Sequence, residues 1–203
     1  MEPDRVRRFR AGAAALLGLV VADAAAAAPP RAMLPPELGY GYERVVFEGL
    51  DEPPLWRARE ARGYRSRIRL SIAGIVRAKA SIRIDRRRTG ALSGRLVLVD
   101  LDSRARPERR IVRRFRVSAA QSEALDRLIG EAGLWTIHPQ FYVHEDPEMI
   151  CLDGMELVFE RVDARGYRFS TANAQCTAPG GMLRVAEKMM EIARAGDLKR
   201  WLR

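Results

Sequence analysis

The sequence predicts an α+β domain in which an antiparallel sheet of about six strands carries two helices packed on one face. Five segments alternate apolar and polar residues with the period of two that is typical of a half-buried strand, and a sixth, at 95–101, is more uniformly apolar, as in a central strand. Two other segments place apolar residues on one side of a helix. Because only short polar breaks separate the first four strand segments, they favour an antiparallel meander over parallel crossovers.

The first 28 residues have the three-part layout of a secretory signal peptide. A basic start precedes an uncharged run over residues 11–22, and an alanine-rich stretch behind it offers small-residue cleavage sites. The run is shorter than the roughly 20 apolar residues of a transmembrane helix, so no membrane anchor is expected after cleavage. We therefore expect a periplasmic or secreted protein whose mature chain begins between Ala25 and Ala28.

The segment behind the signal peptide is predicted to be a linker. Residues 29–39 are rich in proline, which favours a stiff, extended chain without helix or sheet pairing. A single α+β domain is then predicted for residues 40–203. Its first element is predicted to be a short strand at 43–48, which ends before Pro53 and Pro54.

The meander predicts a sheet face that is covered with arginine. Four strands are predicted at 64–72, 79–85, 95–101 and 109–117. Alternation in the first, second and fourth of these strands places apolar residues on one face and seven arginines on the other. These are Arg65, Arg67, Arg69, Arg83, Arg110, Arg114 and Arg116. We expect them to be neighbours across adjacent strands.

The remaining elements are a helix, a strand pair and a second helix. Ser118 and Gln121 have the spacing of a capping box, and Gly133 is suited to the left-handed conformation that ends a helix. The strand pair turns at 163–166, where Val162 is expected to face Tyr167. The predicted strands and closing helix cover 155–160, 167–171 and 181–195.

Charge is divided unevenly along the chain, whose formal net charge is +10. Residues 57–116 hold 20 basic and 5 acidic side chains, whereas residues 117–203 hold 10 and 13. A basic face attracts phosphate-rich partners, which predicts binding of anionic lipid, lipopolysaccharide, an acidic glycan or a protein partner. Nucleic acid is disfavoured by export and by the scarcity of aromatic stacking residues. The alternative is a solvated face that the acids of residues 117–203 neutralise.

Cys151 and Cys176 are the two cysteines of the chain and are predicted to form a disulfide. Export places them in an oxidising compartment. Pairing Val162 with Tyr167 also brings both cysteines to the open end of the second hairpin. Since the chain has no Cys-x-x-Cys pair and no recognisable nucleophile motif, a catalytic thiol is disfavoured.

The loop over residues 138–153 offers an alternative site. Its His138, His144, Asp146 and Asp153 include the ligand types of a weak zinc or calcium site. The histidines are six residues apart in a proline-marked loop, however, so a solvated acidic loop is the favoured interpretation. No catalytic residue and no cofactor is predicted. A small envelope hydrolase or metal-dependent enzyme using this loop remains the alternative function, and a purely structural accessory domain is a third.

The second half of the chain combines a helix that ends in Gly and an aromatic residue, a strand that follows Asp-Gly, a return strand that begins with Tyr-Arg, and a closing helix. The residues are those of 118–135, Cys151-Leu152-Asp153-Gly154, Glu156, Glu160, Gly166-Tyr167-Arg168 and Cys176. In this pattern the chain resembles a group of uncharacterised exported bacterial proteins. The resemblance implies export and an α+β fold, and it implies no activity. The combined expectation is an exported, non-enzymatic envelope protein that binds through its arginine-bearing face.

Overall fold

A computed structural model of the chain describes residues 33–36, 43–74, 78–102, 104, 106–137 and 154–202. The strands are β1 (Tyr64–Ala73), β2 (Lys79–Arg87), β3 (Leu92–Leu101), β4 (Pro107–Arg116), β5 (Glu156–Asp163) and β6 (Gly166–Asn173). The helices are α1 (Glu43–Phe47), α2 (Ala58–Ala61), α3 (Ala119–Glu131) and α4 (Gly180–Ile192), followed by a 3-10 helix at Gly196–Leu202. They form the predicted α+β fold.

All six strands belong to one antiparallel sheet, with the order β4-β3-β2-β1-β5-β6. The first four strands form the predicted meander, since each pairs with the next along the chain. The β5–β6 hairpin then pairs with β1 on its other side. Val162 lies opposite Tyr167 in that hairpin, so the predicted register is confirmed.

One face of the sheet, which we call the helix face, packs against α3 and α4. Its buried core joins Leu70, Ile82 and Phe159 of the strands to Leu125 of α3 and Met189 of α4. This face holds most of the apolar residues that the period-2 alternation predicted to be buried. The two long helices therefore lie on one side of the sheet, as expected.

The ends of α3 follow the predicted capping chemistry. The Ser118 hydroxyl accepts a hydrogen bond from the Gln121 backbone N–H at 3.1 Å, and the Gln121 side chain accepts one from the Ser118 N–H at 2.9 Å. This reciprocal pair is a capping box, which satisfies amides that a helix start leaves unpaired. Gly133 follows the helix with φ of 56°, in the left-handed region.

The opposite face of the sheet, which we call the arginine face, is covered near its centre by the segment before β1. We call residues 33–36 and 43–62 the N-terminal cover. Leu34, Phe47 and Leu50 of this cover form a second buried core with Val97 of β3 and Val158 of β5. Leu34 falls inside the stretch that was predicted to be a linker.

Two predicted elements differ from the structure. The strand predicted at 43–48 is wrong, because those residues form the short helix α1. A single helical turn points Val46, Phe47 and Leu50 at the sheet, and no described strand lies beside this segment to supply ladder hydrogen bonds. The closing helix also ends earlier than predicted, at Ile192, because the backbone at Arg194 turns into positive φ of 51°.

Candidate functional site

Four arginines lie side by side across four strands of the arginine face. Arg69 of β1 lies opposite Arg83 of β2, and Arg83 lies opposite Arg95 of β3. Arg95 in turn lies opposite Arg114 of β4. Directly opposed residues have Cβ atoms about 4.5–5.5 Å apart, and like charges in such pairs are destabilising. The row is therefore stable only where carboxylates lie against it.

Arg69 is the most deeply buried member of the row, with none of its surface exposed. Its Nε and Nη2 lie 2.6 Å and 2.5 Å from Oε2 of Glu160, which is equally buried and directly opposite on β5. Its Nη1 donates to the Pro53 carbonyl at 2.7 Å, and its Cζ lies 5.0 Å from the ring centre of Phe47. Arg69 thus holds the N-terminal cover to the sheet.

The carboxyl group of Glu160 is held between two donors. Besides Arg69, the Tyr167 hydroxyl donates to Glu160 Oε1 at 3.0 Å. Burial raises the pKa of Glu160, and the charge and hydrogen bond of Arg69 oppose that rise. Burial, followed by the adjacent Glu160, also raises the pKa of Tyr167, so the phenol keeps its proton and serves as a donor.

The other buried arginines share carboxylates with one another. Arg67 Nε donates to Asp85 at 2.8 Å, and Arg83 Nε lies 3.2 Å from the same carboxylate. Glu52 of the N-terminal cover accepts from Arg83 and lies 3.1 Å from Nε of Arg95. Burial lowers the pKa of Arg67, but Asp85 together with Tyr64 and Glu60 raises it, so the pKa is raised overall.

The covered part of the arginine face is close to electrically neutral. Four arginines of the sheet contact four carboxylates; the pairs involve Arg67, Arg69, Arg83 and Arg95 with Glu52, Glu60, Asp85 and Glu160. Of these acids only Glu160 belongs to residues 117–203, so the first half of the chain supplies most of the carboxylates that contact these four arginines. The reason is that the cover and β2 bring their own acids to the face.

The structure divides the seven predicted anion-binding arginines into two groups. Arg67, Arg69 and Arg83 are buried and ion-paired, so they hold the fold together and do not present a surface to an external ligand. The other four are exposed; they are Arg65, Arg110, Arg114 and Arg116.

Among the exposed group, the partners differ. Arg110 donates to the Leu50 carbonyl at 3.0 Å and lies 3.4 Å from Asp51. Within the described residues, the side chains of Arg65, Arg114 and Arg116 have no hydrogen-bond or ion-pair partner. Arg65 lies at the irregularity in the β1–β2 pairing, where its side chain is exposed.

Exposed arginines gather at the end of the sheet where β1 begins and β2 ends. Tyr64 lies opposite Arg87, and the Arg88 N–H donates to the Gly63 carbonyl at 3.1 Å. The last residue of β4 and the β5–β6 turn reach the same end. We call the six arginines found there the basic end: Arg62, Arg65, Arg87, Arg88, Arg116 and Arg165.

The carboxylates near the basic end are already engaged by other arginines. Asp126 of α3 accepts from Arg86 at 2.7 Å and from Arg161 at 3.3 Å. Asp163 accepts from Arg161 at 2.8 Å and also from Arg168. No described carboxylate contacts any of the six side chains of the basic end, so positive charge exceeds negative charge there within the described part of the chain.

Sequence reasoning missed most of the basic end because these arginines lie in turns and strand ends. Period-2 alternation assigns a face only to residues inside a strand. The run Arg86-Arg87-Arg88, directly after the strand predicted at 79–85, was the signal that could have identified them. The turn brings two of these residues beside Gly63 and Tyr64, at the start of β1.

Several other predicted residues lie outside the part of the chain that the structure describes. The signal-peptide residues 1–28 lie outside the described residues, as do Cys151, His138, His144, Asp146 and Asp153. Cys176 lies in the turn after β6, and its disulfide with Cys151 stays a prediction. Among the residues that the structure describes, no group of three His, Cys, Asp or Glu side chains could hold a metal ion. The helices within this part of the chain are too short or too polar to cross a membrane.

No family model matches this chain, and no curated protein matches it. The resemblance to uncharacterised exported bacterial proteins therefore stays a prediction.

Proposed function

We propose that this protein is an exported, non-enzymatic envelope protein that binds phosphate groups of an anionic envelope component through the basic end. The observation that carries the proposal is that six exposed arginines are distributed along one end of the sheet without a carboxylate partner among the described residues. The signal-peptide layout of residues 1–28 supports export, because it directs the chain to a compartment where such components are found.

Arginine suits this ligand chemistry better than lysine would. A guanidinium group presents planar, paired donors that match two oxygens of one phosphate, whereas an ammonium group acts as a point charge. Arg87 is also positioned by its neighbour, since its Cζ lies 5.2 Å from the ring centre of Tyr64. Anionic lipid headgroups and the phosphates of lipopolysaccharide both offer suitable groups.

Unpaired like charges at one end of a domain repel one another, and a bound anion removes this repulsion. An arginine near an anionic membrane surface contributes about 1 kcal/mol to binding. Removing three of them should therefore weaken binding by about 3 kcal/mol, or roughly a hundredfold. The interaction should also weaken with salt, since the screening length is about 8–10 Å at physiological ionic strength.

The test compares two triple variants of equal net charge. Arg62→Ser/Arg65→Ser/Arg88→Ser changes the basic end, whereas Arg104→Ser/Arg184→Ser/Arg194→Ser removes three exposed arginines from the β3–β4 turn and from α4 and its end. Binding to phosphatidylcholine vesicles with and without phosphatidylglycerol is measured by co-sedimentation at several salt concentrations. We expect the first variant to lose binding and the second to retain it.

Two further ligands identify the source of the negative charge. Lipopolysaccharide vesicles supply phosphate on a glycolipid, and polygalacturonate supplies carboxylate without phosphate. Equal binding by both triple variants, or binding that does not respond to salt, would overturn the proposal. Binding of polygalacturonate alone would reassign the basic end to an acidic glycan.

The alternative of an envelope hydrolase or metal-dependent enzyme depends on residues 138–153, which lie outside the described residues. No observation among the described residues favours that function, nor a purely structural accessory role. We therefore propose only the anion-binding function.

A further inference from the structure

The strand β4 forms one edge of the sheet and is exposed along almost its whole length. Among the described strands it pairs only with β3, so its outer edge presents unpaired backbone groups. Such an edge is a template on which an extended chain can add a further strand. The partner that fits can be inferred from the side chains that β4 carries.

The side chains of β4 combine positive charge with a central apolar pair. Five arginines and a single glutamate lie between Pro107 and Arg116. Ile111 and Val112 at its centre are 38% and 44% exposed, and they are the most exposed large apolar side chains of the described residues. Because neighbours along a strand point to opposite faces, a partner strand would contact one of them on each face.

Two of the five arginines are held by the domain itself. Arg113 donates to the carbonyls of Ala193 and Arg194 at the end of α4, and Arg110 donates to the Leu50 carbonyl. The other three have no side-chain partner within the described residues; they are Arg109, Arg114 and Arg116. These three are available to carboxylates of a partner.

A second copy of this chain does not fit the edge. An antiparallel copy centred on the apolar pair would place Arg110 opposite Arg113 and Arg109 opposite Arg114. Like charges in directly opposed pairs are destabilising, so the arginines oppose self-association. The same charges favour a strand with acidic residues at these positions.

We propose that β4 binds an extended acidic segment of another protein by strand addition. The segment carries apolar residues against Ile111 and Val112 and acidic residues against Arg109, Arg114 and Arg116. Backbone hydrogen bonds would supply the pairing, and the charges would select the partner and fix its register. The two proposed sites share Arg116, and the other side chains invoked for strand addition lie outside the basic end.

The test uses two peptides of equal charge on the full mature chain. The peptide ETETVVTEK places glutamate opposite the three available arginines and valine opposite the apolar pair in an antiparallel alignment. The peptide ETETPPTEK keeps the charges, but its prolines cannot donate to the strand ladder. We expect the first peptide to bind at least about tenfold more tightly in fluorescence anisotropy, and to slow hydrogen exchange of β4 amides in particular.

A charge exchange supplies the second arm. The variant Arg109→Glu/Arg114→Glu changes two exposed residues. It should lose affinity for ETETVVTEK and gain affinity for KTKTVVTKE, the peptide in which glutamate and lysine are exchanged. Equal affinities for the valine and proline peptides, or unchanged exchange of the β4 amides, would overturn strand addition. The variant Arg62→Ser/Arg65→Ser/Arg88→Ser changes only the basic end, so it should still bind ETETVVTEK. Strand addition on β4 can therefore fail or succeed independently of phosphate binding at the basic end in these experiments.

Discussion

Replacing Arg69 by Met tests whether the buried ion pair holds the N-terminal cover on the sheet. Met retains much of the aliphatic stem but leaves Glu160 buried without its cationic partner. Breaking a buried pair by removing one member costs about 3–5 kcal/mol. The lost hydrogen bond to the Pro53 carbonyl adds about 1 kcal/mol. The total is a large part of the roughly 5–15 kcal/mol that stabilises a domain.

Urea unfolding of the purified protein, followed by tryptophan fluorescence, measures this loss. The matched control is Arg65→Met, which makes the same substitution at an exposed position of β1. We expect the control to change the free energy of unfolding by less than about 0.5 kcal/mol. A loss below about 1 kcal/mol in Arg69→Met would refute the assignment of Arg69 as the tie between cover and sheet.

The pH dependence of the stability lost in Arg69→Met shows whether the buried carboxyl group of Glu160 is the cause of that loss. Burial raises the pKa of Glu160, and in Arg69→Met no guanidinium opposes that rise. A folded pKa above the unfolded value of about 4.3 means that the folded state binds more protons between these two pKa values. The free energy of unfolding therefore falls as pH increases from the unfolded pKa to the folded pKa of Glu160. We therefore expect the loss relative to the wild type to be larger at pH 8 than at pH 5.

A double variant separates the unpaired charge from the lost contact. Arg69→Met/Glu160→Gln removes the carboxylate while the amide oxygen still accepts from the Tyr167 hydroxyl. Replacing both members of a buried pair by uncharged residues is often neutral or stabilising, so most of the lost stability should return and the pH dependence should disappear. A double variant no more stable than Arg69→Met would contradict this explanation.

Two further substitutions test local packing and capping. Gly94→Ala should lower the free energy of unfolding in urea by about 1–3 kcal/mol, because its Cβ would clash with the Phe115 ring. The double variant Gly94→Ala/Phe115→Leu should recover part of this loss. An unchanged stability in Gly94→Ala would show that the ring moves aside freely. Ser118→Ala should cost about 1 kcal/mol by removing the acceptor for the Gln121 N–H. Ser118→Asp should restore thermal stability, and an equal loss in both variants would argue against the cap.

Local patterns in the sequence predicted the strands, the α3 cap and the hairpin register, because each depends on residues close together in the chain. Alternation also predicted correctly that Arg69 and Arg83 share a face. It did not predict that this face is covered, because residues 43–48 of the cover were predicted to form a strand and instead form the helix α1. Local patterns also did not predict the partner of Arg69, because the pairing of β1 with β5 depends on the order of the strands in the sheet.

The position of β5 beside β1 has a consequence for how the chain folds. The meander β1–β4 joins strands through short turns, whereas Arg69 and Glu160 are separated by 91 residues in sequence. Loop-closure entropy increases with loop length, and contacts between distant residues slow folding. The meander can therefore form from local pairings, and the hairpin β5–β6 joins it through a long-range encounter. If the meander forms first, Arg69 lacks its buried acid until the hairpin that carries Glu160 joins β1.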